Sequence, residues 1–307
     1  MSLLAVYNTC GIDCSEKLDW YITCIRALLE QDIPDCRVVL SSCRNSDAVC
    51  QALQQEFSDK ISYNFIEDVV PVNVSFNFTV LRATEHRRYD GYLYIDSGVL
   101  TQSNDTVSRL YDIFINNNCG IASVLPSNDV GFHYEQTPDF TQHYVVPLGK
   151  AVNNHFQIFS DTLLGYYHKL LPDIFAGHCT ESVFTFMCAA LKLKWLVHND
   201  SLLVEHICDV DKQSAGFCTH KYVAQTNHPT WDHPFCIPSI VNRLLVKDAV
   251  NAGLGYEESR HVLMHDTTQF DSDDYCINDD LKDIIKRKLF LTKEEFPYHS
   301  IRHNYYE

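Results

Sequence analysis

The sequence predicts an α/β fold, a mostly parallel central sheet flanked by helices, with a helical extension at its carboxyl end. Two observations carry that expectation. Short apolar runs alternate with stretches of helical periodicity, and the alternation repeats without a long linker. The residues following the first two apolar runs, Asn8-Thr9-Cys10-Gly11-Ile12-Asp13 and Ser41-Ser42-Cys43-Arg44-Asn45-Ser46, are polar. They read as loops at the carboxyl ends of parallel strands, where open α/β sheets hold their ligands.

The elements follow in order. Leu3 to Tyr7 is a first buried strand. Leu18, Tyr21, Ile22, Ile25, Leu28 and Leu29 recur at helical spacing, giving a helix over roughly 16–31 that Pro34 ends. Arg37 to Leu40 is a second strand, a helix over roughly 47–58 follows, and Ile61 to Ile66 is a third strand. Strand-helix-strand units of this kind demand right-handed crossovers and a parallel sheet. Phe76, Val80, Leu81 and Ala83 mark a helix over roughly 75–88. Tyr92-Leu93-Tyr94-Ile95 is a fourth buried strand, with Asp96-Ser97-Gly98 at its carboxyl end.

Further on, a helix is expected over roughly 104–116 and a strand from Gly120 to Leu125. The residues from 126 to 148 read as strands or loops. A strand over 155–160 and a helix over 161–170 come next. Thr180 to Leu191 reads as a buried helix with Glu181 in its first turn, and Lys194 to Val197 and Leu202 to His206 as short strands. Helices are expected over roughly 239–252 and 277–289, and the stretch from Thr292 reads as a tail. One large domain, residues 1–211, divides at about residue 100, and 212–307 packs on it as a mostly helical extension.

Composition narrows the functional classes. The chain has 307 residues, 46% hydrophobic, which supports a sizeable core. With 40 Asp and Glu against 24 Lys and Arg, its surface repels phosphate backbones, which argues against nucleic-acid binding. No apolar run is long enough to cross a bilayer, and the first residues lack the basic start of a signal peptide. Thirteen cysteines, an odd number without a CxxC pair, point to reduced thiols and a cytoplasmic location. The sequons at Asn73, Asn77, Asn104 and Asn199 are then chance. No P-loop, GxGxxG, GxSxG or HExxH is present.

The chemistry centres on Asp96. An ionised carboxylate at the end of a buried strand needs a partner, and a divalent cation supplies one. Capping of the following turn is the other reading. Glu181, in the first turn of a helix, is an acid favoured by a helix amino terminus, and a carboxylate can also serve as a general base. His206 ends a short strand and is a competent ligand for Mn²⁺, less so for Mg²⁺.

The order Val6-Tyr7-Asn8-Thr9, Ser41-Ser42-Cys43-Arg44, Ser75-Phe76-Asn77 through Arg82, then Tyr94-Ile95-Asp96-Ser97-Gly98, resembles the nucleotide-diphospho-sugar glycosyltransferases of the GT-A fold. The resemblance spans about residues 3–210. It implies a Rossmann-like domain with its nucleotide-sugar half at about 1–100 and its acceptor half at about 101–211. It implies transfer of a sugar from a UDP- or GDP-type donor to a glycan or other hydroxyl acceptor, with inversion if Glu181 is the base and Asp173 a weaker substitute. It implies donor contacts at Tyr7, Asn8, Thr9, Ser42, Arg44, Asn77, Arg82, Ile95 and Ser97, and a cation, Mn²⁺ or Mg²⁺, at Asp96 and His206.

Two positions depart from the family. Gly98 stands where the Asp-x-Asp element has its last acid, so either a second ligand compensates or metal dependence is weak or absent. Ser41 and Ser42 stand where the second strand usually carries Asp. A decayed, non-catalytic nucleotide-sugar or glycan-binding protein and a nucleotidyltransferase are the alternatives. The latter lacks its Gly-rich basic loop after the first strand. Trp195, Trp231, Tyr134 and Tyr144 are candidates for stacking on sugars, with core packing the competing role for Trp195. The extension covers the acceptor side or supports self-association as a homodimer.

Overall fold

The computed structural model describes residues 2–12, 15–32, 35–43, 45–67, 72–124, 143–146, 155–167, 184, 187–188, 191–198, 204–206 and 302–306. Four strands, β1 (Leu3–Cys10), β2 (Cys36–Cys43), β3 (Ser62–Ile66) and β4 (Gly91–Ile95), form a parallel half-sheet in the order β3-β2-β1-β4. Helices α1 (Ser15–Leu29), α2 (Asp47–Phe57) and α3 (Val72–Ala83) cross between them. Their periodicity explains them: α1 buries Tyr21, Cys24, Ile25 and Leu28 on one face. The hydroxyl of Ser46 caps α2 by accepting from the Val49 amide.

Past β4 the sheet changes character. A short strand β5 (Val99–Thr101) and helix α4 (Thr106–Asn116) lead to β6 (Cys119–Val124), β7 (His143–Val145), β8 (Phe156–Ser160), helix α5 (Asp161–Tyr166) and β9 (Lys194–His198). Strand β8 lies between β4 and β6, antiparallel to both. β9 runs parallel to β6, and β7 closes that edge antiparallel to β9. A separate two-stranded ribbon pairs β5 with β10 (Val204–His206). Trp195 is buried and donates its indole N–H to Ser123 at 2.8 Å, so it is a core residue and not a sugar platform.

Two expectations need correction. The polar stretches after Tyr7 and Leu40 are not loops from their first residue: β1 runs to Cys10 and β2 to Cys43, paired residue for residue from Leu3↔Cys36 to Cys10↔Cys43. Their polar side chains stay buried because they find partners there: Thr9 bonds to Ser42, Asn8 to the Ile95 carbonyl and Ser41 to Ser75. The stretch from Thr292 is not wholly a tail: β11 (His303–Tyr306) pairs antiparallel with β3 and forms the outer edge strand there. Its rings explain the docking, with His303 edge-on to Phe78 at 4.5 Å and Tyr306 against Phe65 at 5.9 Å. The expected helices at 239–252 and 277–289 lie outside the described residues, as do Trp231 and Tyr134. No described helix is long and apolar enough to cross a membrane.

Candidate functional site

The strand order sets the location. The chain steps outward from β1 to β3, then returns to β4 on the other side of β1, so the topological switch lies between β1 and β4. Two bonds tie the strands together at that crevice. Asn8 donates from Nδ2 to the Ile95 carbonyl at 3.0 Å, and the Gly98 amide donates to the Tyr7 hydroxyl at 3.1 Å. Asn8 is 3% exposed, and its Oδ1 has no hydrogen-bond partner. A buried acceptor left unmade is costly, and Asn64 Oδ1 under α3 is in the same condition.

Asp96 follows β4 and opens a tight turn, the Val99 amide donating back to its carbonyl at 3.4 Å. Gly98 has φ +75° and is the third residue of that turn, the type II pattern, which favours glycine. The glycine at this position therefore has a backbone cause. The Ser97 amide donates to Asp96 Oδ1 at 2.8 Å.

The antiparallel pairing of β4 with β8 brings a residue that sequence reasoning missed. The Asp96 amide donates to the His155 carbonyl at 2.8 Å, and His155 Nδ1 lies 3.2 Å from Asp96 Oδ2. Both side chains are partly open to solvent, at 18% for His155 and 28% for Asp96. The signal was available in principle: His155 is the residue before an apolar run, as Asp96 is the residue after one. Only the register, Ile95↔Phe156, makes them neighbours.

His206 comes close by the same logic. β10 pairs with β5 so that His206 stands opposite Val99, three residues past Asp96. Opposed residues of an antiparallel pair have Cα atoms about 4.5–5.5 Å apart. Among the described residues no group of three His, Cys, Asp or Glu side chains stands together as a metal site. The side chains described there, the Asp96 carboxylate and the His155 imidazole, offer oxygen and nitrogen together, which suits a borderline cation such as Mn²⁺ better than Mg²⁺.

Around Asp96 the remaining predicted contacts divide. Thr9 donates to Ser42 Oγ at 2.9 Å, and Asn45, also missed from sequence, donates to Ser42 while its Oδ1 accepts from the Ile12 amide at 2.7 Å. With the Gly11 amide donating to the Cys43 carbonyl at 3.1 Å, the ends of β1 and β2 are clasped together. Tyr7, Asn8, Thr9, Ser42, Ile95 and Ser97 thus share the carboxyl end with Asp96. Asn77 is wholly buried in α3.

Arg82 goes elsewhere. It pairs with Glu85 at 2.9 Å and lies 5.5 Å over the Tyr305 ring, whose hydroxyl accepts from Arg37 at 3.1 Å near the start of β2. This corrects its expected diphosphate role: α3 runs back along the sheet, so its last turn lies at the opposite end from Asp96. Arg44, Asp173 and Glu181 lie outside the described residues. Cys36 and Cys119 are each pushed up to about 12 by burial, so neither is a thiolate nucleophile near neutral pH.

No family model matches the sequence, and no curated protein does. Solved structures do match the fold. A TarS structure from S. aureus superposes with a TM-score of 0.57 at 14% identity, covering 86% of this chain and 69% of that one. The fold is GT-A. TarS in complex with UDP gives a TM-score of 0.52 at 13% identity over 84% of this chain and 77% of that one. The mannosyltransferase PcManGT from Pyrobaculum calidifontis, in complex with GDP-Man and Mn²⁺, gives 0.51 at 14% identity over 82% and 76%.

Proposed function

We propose that this chain is a glycosyltransferase that moves a sugar from a UDP- or GDP-type nucleotide-diphospho-sugar to a hydroxyl acceptor, with inversion. The observation that carries the reading is the convergence of Asp96, the β1 and β2 ends and the β10 strand at the topological switch point. The GT-A fold supports it, as do a UDP complex and a GDP-Man and Mn²⁺ complex among the similar structures.

Asp96 and His206 would hold a divalent cation, which when bound neutralises charge developing on the departing diphosphate. Asn8, Thr9 and Ser42 bind and orient the nucleotide. Glu181 takes the proton from the acceptor hydroxyl as that oxygen attacks the anomeric carbon.

Thermal denaturation against a panel of nucleotide sugars, with and without Mn²⁺, tests the proposal. One donor is expected to raise the melting temperature, more so with Mn²⁺. Absence of any shift across the panel, with the metal present, overturns it. Glu181→Gln is expected to retain that shift and lose transfer; loss of both would make Glu181 structural.

A further inference from the structure

From the contact between β4 and β8 we infer that His155 is a positioning residue, one that holds the Asp96 carboxylate in its working orientation. The inference rests on the proposed cation role of Asp96 and deepens it. His155 meets Asp96 twice, its carbonyl accepting the Asp96 amide at 2.8 Å and its Nδ1 lying 3.2 Å from Oδ2. A carboxylate has only acceptors, so Nδ1 carries the hydrogen. On the other oxygen, Oδ1, the Ser97 amide bonds at 2.8 Å. A donor on each oxygen fixes the plane of the carboxylate, which otherwise rotates freely on a short side chain.

The arrangement answers a specific weakness of this chain. Asp96 is the only acid of the segment Asp96-Ser97-Gly98, where Gly98 has a positive φ, and a single flexible carboxylate is a poor ligand. Ordering it beforehand removes an entropy cost from each binding event. Partners of this kind around a metal ligand are worth roughly 10–100-fold in affinity. The imidazole hangs on a backbone already fixed by the Asp96 amide, so removing the ring leaves the ladder intact.

The test has two arms on the full chain. In metal-free buffer, long-range ¹H–¹⁵N spectra are expected to show a hydrogen on Nδ1 of His155, lost to exchange between tautomers in Asp96→Ala. A wild-type ring protonated only on Nε2 overturns the inference. Mn²⁺ binding to the protein with UDP or GDP present, followed by electron paramagnetic resonance, forms the second arm. His155→Ala is expected to weaken it about tenfold. His155→Asn, which keeps a donor near Nδ1, is expected to restore most of it. Because His155 acts through Asp96, the double variant should bind no more weakly than Asp96→Ala alone. Independent, additive losses, or no rescue by Asn, overturn the positioning role. If Asp96→Ala itself leaves Mn²⁺ binding unchanged, the cation reading of the site fails instead, and the positioning role falls with it.

Discussion

Two polar clusters lie on the same sheet and behave differently. Beneath α3, Ser41 meets Ser75 at 2.6 Å, Thr79 donates to Ser41 at 2.8 Å, and Asn64 donates to Thr79 at 2.8 Å. All four residues are at most 2% exposed. Asp96 and His155, at the paired ends of β4 and β8, are also bonded to each other but stay partly open to solvent. Hydroxyls sealed between a helix and a sheet can only stabilise, whereas an open carboxylate held by its neighbours is available for a ligand. Between these two clusters, exposure is what differs.

Substitutions can break that contrast. The largest effect is expected at Asp96→Ala, with transfer reduced by at least about a hundredfold, since a cation clamp supplies several kcal/mol to the transition state. Its melting temperature should stay within a few degrees of wild type. Turnover of the donor identified in the panel, measured beside a denaturation curve, checks both halves; near-normal turnover removes Asp96 from the mechanism.

Thr79→Val should do the reverse. It keeps the shape and deletes a hydroxyl used by two partners, costing about 1–3 kcal/mol by urea denaturation while donor affinity holds. A weakened donor with unchanged stability would contradict the division drawn between the clusters. Gly98→Ala probes the join. A side chain at φ +75° should cost about 1–2 kcal/mol, and loosening of the Asp96 turn should weaken Mn²⁺ binding with it. Unaltered stability would mean that the turn does not need glycine. The smallest effect is expected at Arg82→Ala, about 1 kcal/mol or less from a partly exposed pair and a ring contact, with no change in transfer. A large loss of turnover would return Arg82 to the donor site.

The legible parts of the sequence were those where local pattern and tertiary role coincide. Apolar runs such as Leu3–Tyr7 and Tyr92–Ile95 are strands because they are buried on both faces, and α1 shows its buried stripe in its spacing. The continuation of β1 through Asn8 and Thr9 was not legible, because those residues are polar and only their cross-strand partners make burial tolerable. Arg82 was misassigned for a similar reason. Its charge suits a diphosphate, but the direction of α3 decides which end of the sheet it reaches.

By itself, then, the sequence determined the alternation of strands and helices, the parallel half-sheet and the position of Asp96 at a strand end, since these follow from periodicity and burial along the chain. Tertiary structure alone decided that β8 runs antiparallel beside β4 and sets His155 against Asp96, that His206 stands across from Val99, and that His303–Tyr306 return to the edge of β3. These pairings join segments far apart in the chain, and the residues of one strand do not name which distant strand will lie beside it.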